Sequence, residues 1–455
     1  MYFVGTTQLI IARNTMMSEW LDPKSHENRR NVVLLLLIGM FAVTRINIGG
    51  KLGISELGIL IAAPFVFFKN IDIFRREKIS GYLFLAFLWL LGAVFADCHN
   101  GTYYLMAFKG IASPLMVLAN SIVLYSLLRK NPENIRFLLL GLAISAVIAI
   151  FAFQKVTDDE YVMMGSSQDA VSGVLHYKLF WSNQVLGWLG VILVWWYVKL
   201  PKVISLLLTL AIFVAYAATG GRSASAVYLM TVILIFIGGK KLSSMQSIRK
   251  YILFIFIILA LAGVAFKTAY KYAAENGILS EDEQKKYERQ TSGGKGGFLA
   301  LLMSGRSEFF IAATAALDRP LIGHGSHAID NNGYVADFLQ KYGSDADRQL
   351  YYQSALESVH RIPFHTQIMT FWMWHGIFGL IFWAYVLYLI VVTLMRRMAV
   401  APPLFGYFAL VLPAIIWDIF FSPFGLRVRE CAIFVMCLIV RNMTKGIRYP
   451  VEIRK

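Results

Sequence analysis

The feature that most restricts this chain is a series of apolar stretches, each about as long as a membrane is thick, separated by short basic clusters. A helix that crosses a bilayer takes roughly 20 mostly apolar residues, within a range of about 17 to 25. Stretches of that kind lie at 31–48, 53–69, 80–97, 103–128, 136–154, 182–199, 203–220, 224–239, 251–267, 369–395, 403–420 and 430–441. Composition agrees, with 58% hydrophobic and 15% charged residues, where soluble domains run at about half apolar and a quarter charged. No polar linker divides the chain as a soluble protein of 455 residues would require. A soluble globular enzyme, a disordered chain and a disulfide scaffold are excluded. The fold class that remains is an all-α polytopic membrane protein with about twelve transmembrane helices.

The charge balance, 43 Lys and Arg against 27 Asp and Glu for a net +16, would in a soluble protein suggest nucleic acid. Its distribution argues otherwise. Counted over alternate connections, one side collects Arg29 and Arg30, then Arg75, Arg76 and Lys78, then Arg129 and Lys130, and so on to Arg448. That side holds over half of the positive residues, and Lys and Arg concentrate in cytoplasmic connections. Both ends are therefore expected to be cytoplasmic, and no nucleic-acid partner is expected. The expected organisation is an N-terminal tail at 1–30, transmembrane helices 1–9 within 31–267 and a long far-side loop at 268–365. Helices 10–12 follow within 366–441, then a cytoplasmic tail at 442–455. The first thirty residues lack the pattern of a cleaved signal. Cys98, Cys431 and Cys437 show no metal or disulfide spacing.

Four arginine- or histidine-bearing segments gather on the far side. In Thr219-Gly-Gly-Arg222-Ser-Ala224, a tight turn with a headgroup anchor competes with a reading in which backbone N–H groups and a guanidinium hold a phosphate. Ser304-Gly-Arg306-Ser-Glu308 opens a stretch, Phe298 to Leu317, whose spacing predicts an amphipathic helix near the interface. It runs on into Asp318-Arg319-Pro-Leu-Ile-Gly323-His324-Gly-Ser-His327. Two histidines three apart can ligate a metal, but no carboxylate or cysteine completes a set, so no metal is expected. The third segment, His360-Arg361-Ile-Pro-Phe-His365-Thr366, leads back into the membrane, and an imidazole there suits proton transfer. The fourth, Arg427-Val-Arg429-Glu430, reads as an anion patch, an interfacial anchor or an ion pair with Asp418 or Glu430.

These residues resemble the O-antigen ligase and O-antigen polymerase superfamily of bacterial inner-membrane glycosyltransferases. The resemblance rests on His365-Thr366 followed by Gly376 and Gly379, on the Gly-Gly-Arg-Ser-Ala turn at 220–224, and on Arg306 running into Arg319-Pro-Leu-Ile-Gly323-His-Gly. Thr366 departs from the family, which more often has Asn, Ser or Gln there. The resemblance implies a GT-C-like membrane fold with one long periplasmic loop containing amphipathic helices. It implies an undecaprenyl-pyrophosphate-linked glycan donor, and a glycan or lipid A-core acceptor, with membrane lipid and a chain-length regulator as further partners. Carried over by motif, Arg222 and Arg306 would bind the pyrophosphate, with Arg361 as a further candidate, and His365 would assist the acceptor hydroxyl. His324, His327 and Arg429 are weaker substrate-binding candidates. No cofactor is implied. Polymerase is the first reading and ligase the second. A twelve-helix transporter is disfavoured, because only Lys109 and Asp418 are clearly charged within the predicted spans.

Overall fold

The computed structural model describes residues 26–42, 45–47, 51–77, 79–131, 134–152, 201–218, 222–237, 306–343, 360–398 and 405–422, with a few single positions between 268 and 277 and at 348 and 351. The predicted spans at 182–199, 251–267 and 430–441 lie outside the described residues. Those described are almost entirely helical. In chain order they form α1 (His26–Ala42), α2 (Ile54–Lys69), α3 (Ile71–Arg76), α4 (Ile79–His99), α5 (Tyr104–Leu128) and α6 (Ile135–Ala152). After these come α7 (Lys202–Ala218), α8 (Arg222–Ile237), α9 (Ser307–Asp318), α10 (Tyr334–Tyr342), α11 (Gln367–Met398) and α12 (Phe405–Phe421).

Three helical segments, Ile79–His99, Tyr104–Leu128 and Gln367–Val392, are long and apolar enough to cross a membrane. On α4, Tyr82, Ala86, Trp89 and Ala93 are buried while Phe84, Phe87, Leu91 and Phe95 stay exposed. A helix apolar on both its packed and its open face suits a lipid surround. Trp89 is the hub, stacked on Phe382 at 4.7 Å and edge-on to Phe371 at 4.7 Å. α1 and α6 pack through Gly39 and Gly141, where a Cβ on either would overlap the other helix's backbone, the small-residue contact that lets helix axes approach.

The helix ends sort into two groups. At one, Glu27 pairs with Lys130, Asn134 bonds to Asn28 at 2.9 Å, and Glu77 meets Arg129 at 3.4 Å. At the other, Asn100 donates to the Gly323 carbonyl at 3.2 Å, Thr366 reaches the Ile419 carbonyl at 3.5 Å, and Arg306 lies against Trp417.

Two sequence expectations change. The first predicted span, 31–48, is helical only to Ala42. Arg45–Asn47 then pairs antiparallel with Lys51–Gly53, Ile46 opposite Leu52. Ile46 and Asn47 before Gly49 and Gly50 have strand-and-turn composition, and an average over apolar residues hides it. The second change is in α11, where Gly376 takes φ 61 and ψ −150, a conformation open essentially to glycine alone. The helix breaks there, and Ile377–Met398 alone retains membrane-spanning length. A Cβ on Gly376 would overlap the Leu321 carbonyl, and one on Gly379 the Phe371 carbonyl.

Gly376→Ala is therefore expected to cost roughly 3 kcal/mol or more, whereas Gly58→Ala on α2, where a Cβ meets nothing within 4 Å, should change stability by no more than about 1 kcal/mol. Thermal unfolding of the two purified variants in detergent compares them.

Candidate functional site

The break at Gly376 frees carbonyls and an amide that an unbroken helix would satisfy internally. The segment 319–326 supplies their partners. His324 N–H donates to the Met373 carbonyl at 2.7 Å, Gly325 N–H to Trp374 at 3.1 Å, and Ile377 N–H to the Leu321 carbonyl at 3.1 Å. Gly323 and Gly325, at φ 84 and 82, let that backbone come close enough, since Cβ atoms there would crowd the Trp374 carbonyl and the Thr102 hydroxyl. Trp372 donates to the Pro320 carbonyl at 3.1 Å, and Arg319 to Asn100 at 3.0 Å. Two separate sequence motifs therefore form one interlock.

Beneath it runs a buried polar chain. The Trp89 indole N–H donates to His375 Nδ1 at 2.8 Å, and His375 Nε2 lies 3.1 Å from Ser326 Oγ. Ser326 gives its hydroxyl proton to Asp97 Oδ2 at 2.8 Å and its backbone N–H to Oδ1 at 2.6 Å. Because Nδ1 accepts, the neutral ring must carry its proton on Nε2 and donate to Ser326. This is a strut and not a nucleophile triad: the serine proton points to the aspartate, and both Ser326 and His375 are buried. His324 is also committed, its Nε2 donating to the Ala315 carbonyl in the last turn of α9 at 2.8 Å. Burial holds that imidazole below its ordinary pKa, so the ring caps the helix in its neutral form.

The interlock positions α9 against the start of α11, and their meeting leaves a cleft of about 210 Å³ lined by Arg306, Glu308, Phe309, His365, Phe420 and Phe421. Arg306 occupies the N-cap position of α9, where helix amides and dipole favour an anion. Its guanidinium lies 4.9 Å from the Trp417 ring and 4.7 Å from Phe421, a shelf that fixes it by cation–π attraction. Burial lowers the Arg306 pKa, against the pull of Glu308, and an arginine stays protonated regardless. Glu308 places Oε2 3.4 Å from His365 Nδ1. Burial raises the Glu308 pKa, with His365 and Arg306 opposing.

Among the sequence candidates, the structure brings Arg306 and His365 to this cleft and places His327 and Arg361 outside it. Arg222 is the first residue of α8. Residues 219–221, Arg427, Arg429 and Glu430 lie outside the described residues. Sequence reasoning assigned nothing to Glu308, whose only signal was an acid in a helix's first turn. It likewise passed over Trp89, Asp97 and Ser326.

Helices long and apolar enough to cross a membrane thus carry, at one end, a cleft that holds a guanidinium beside an imidazole. Residues 203–384 match the family model described as O-antigen ligase, in keeping with the resemblance to the O-antigen ligase and polymerase superfamily. No curated protein matches the chain. The cleft's Arg306, Glu308 and His365, the interlock and Gly376 all fall within the matched residues.

Trp89→Phe removes the donor to His375 while keeping most of the ring. It should destabilise the protein by about 1–3 kcal/mol through an unpaired buried nitrogen. Combined with Ser326→Ala, the loss should fall short of additive because both act on one chain of bonds. Thermal unfolding of the single and double variants measures the shortfall.

Proposed function

We propose that the protein is a metal-independent glycosyltransferase that takes an undecaprenyl-pyrophosphate-linked oligosaccharide and joins it to a second lipid-linked repeat unit at the periplasmic face of the bacterial inner membrane. The observation that carries this reading is the shared cleft of Arg306, Glu308 and His365 at the start of α9. In the proposed reaction an acceptor hydroxyl attacks the anomeric carbon of the donor. The carbon–oxygen bond to pyrophosphate breaks, and lipid pyrophosphate leaves with the bonding electron pair. Arg306 and the α9 amides stabilise that leaving charge, and Arg222 is assigned to the same anion from its motif. The hydroxyl proton passes to His365 Nε2. Glu308 holds Nδ1–H and steadies the imidazolium that results; the resting 3.4 Å separation is longer than a made hydrogen bond, as resting sites often are.

The second reading is a ligase that transfers the finished glycan to lipid A-core, an activity that the same family description names. Purified protein given lipid-linked repeat units without lipid A-core separates the two. A ladder of longer lipid-linked glycans supports the polymerase, and reaction only after core is added supports the ligase.

His365→Ala should reduce transfer by about 10²- to 10⁴-fold with normal protein in the membrane; long-chain polysaccharide at wild-type levels in such cells would defeat the assignment. Glu308 must be ionised to hold Nδ1–H, and its pKa lies above the ordinary 4.5. Activity should thus fall as pH drops through that raised value. In Glu308→Gln the acid limb of the rate profile should become shallower by one proton, with kcat down about tenfold. An unchanged limb would remove Glu308 from the mechanism.

A further inference from the structure

A second basic cluster, Lys109, His327 and Arg361, lies outside the cleft around His365. Three segments build it. Lys109 sits on α5 beside Gly110, which packs so closely on Ser326 that a Cβ would overlap the Ser326 side chain. Arg361 is held opposite Ile329 by an isolated antiparallel bridge, with Ile362 N–H donating to the Ala328 carbonyl at 3.1 Å. Its guanidinium reaches the sulfur of Met106 at 3.0 Å, one helical turn from Lys109. His327 lies near both cations: burial first, then Arg361 and Lys109, hold its pKa at about 4.

Among the described residues no acid balances this charge. Neither Lys109 nor Arg361 has an ion-pair partner among the described residues. The carboxylates of the same region are engaged, Asp97 by Ser326 and Asp330 by the Tyr334 and Val335 amides at 2.8 and 2.9 Å. Two further features coincide here. His327 takes a left-handed backbone at φ 54, a strained state for a residue that is not glycine and one that clusters at ligand sites. Trp374 packs on the His327 ring at 4.4 Å and is buried, yet its indole N–H has no acceptor among the described residues. Such a donor calls for a partner. Phe364 forms the wall between the two sites, 5.4 Å from the His327 ring and 5.7 Å from His365.

We infer that Lys109, His327 and Arg361 form a second anion site, across Phe364 from the donor cleft, that takes the phosphate of a lipid-linked acceptor. The inference rests on the glycosyl-transfer reading above. Joining two lipid-anchored glycans requires two anions held apart with a hydroxyl delivered between them, and His365 borders the wall that separates the sites. Cations without acids, one of them in reach of α5 where it enters the membrane, suit a phosphate at headgroup depth.

The test uses the full-length protein in phospholipid-free detergent, with farnesyl pyrophosphate as probe in equilibrium dialysis. Wild type should bind about two equivalents, and both Lys109→Gln/Arg361→Gln and Arg306→Gln about one. Lys109→Arg, which keeps the charge, should retain the second equivalent. Two equivalents in the double variant would overturn the second site. If Arg306→Gln loses one equivalent and the double variant loses none, the donor reading stands and the second site falls. If the double variant loses one and Arg306→Gln loses none, the donor reading is the one that fails. Adding phosphatidylglycerol vesicles distinguishes the source of the phosphate. A second equivalent that survives supports the acceptor, and one that phosphatidylglycerol fully displaces makes the cluster a membrane-headgroup anchor and overturns the assignment.

Discussion

The structure at this end of the molecule depends on one exchange of backbone hydrogen bonds. At Gly376 a membrane helix gives up its own ladder, and the turns of segment 319–326 take over the freed groups of Met373, Trp374 and Ile377. Unpaired backbone is costly away from water, so neither partner is stable alone in this form. The break requires the segment, and the segment has no fold without the break. Both α9 and His365 are positioned by this exchange, since α9 leads into the segment and His365 lies just before the first half of α11.

The buried chain from Trp89 through His375 and Ser326 to Asp97 fixes the same unit from the other side. It joins α4, the segment and α11 at a point where apolar packing alone would allow them to slide. A fully satisfied buried network of this kind specifies one arrangement. The histidine in it is spoken for twice, whereas His365 lines the cleft with a long contact to Glu308. The difference between the two histidines follows from hydrogen bonds and not from position in the sequence.

The helical and apolar character of the chain was legible, because lipid imposes length and hydropathy on each helix. Contacts at the described helix ends fall into two groups, with Glu27 and Lys130 in one and Asn100 and Gly323 in the other. The Gly376 and Gly379 spacing was legible as a family pattern, but its cause was not: the need appears only when the Leu321 and Phe371 carbonyls are in place. Glu308 was missed because a first-turn acid has an ordinary explanation. The pairing of 45–47 with 51–53 was missed because Ile46 and Leu52 add to an apolar average as readily from a strand as from a helix.

The divided α11 has a mechanical consequence. The residues from Gln367 to His375 are tied to segment 319–326 and to α4, while Ile377 to Met398 lies among the apolar helices. A continuous rod would carry every tilt imposed by bilayer thickness straight to His365. Here the rod is cut, and the piece next to His365 is clamped to segment 319–326. The end that carries the cleft is thereby decoupled from the span that follows Gly376.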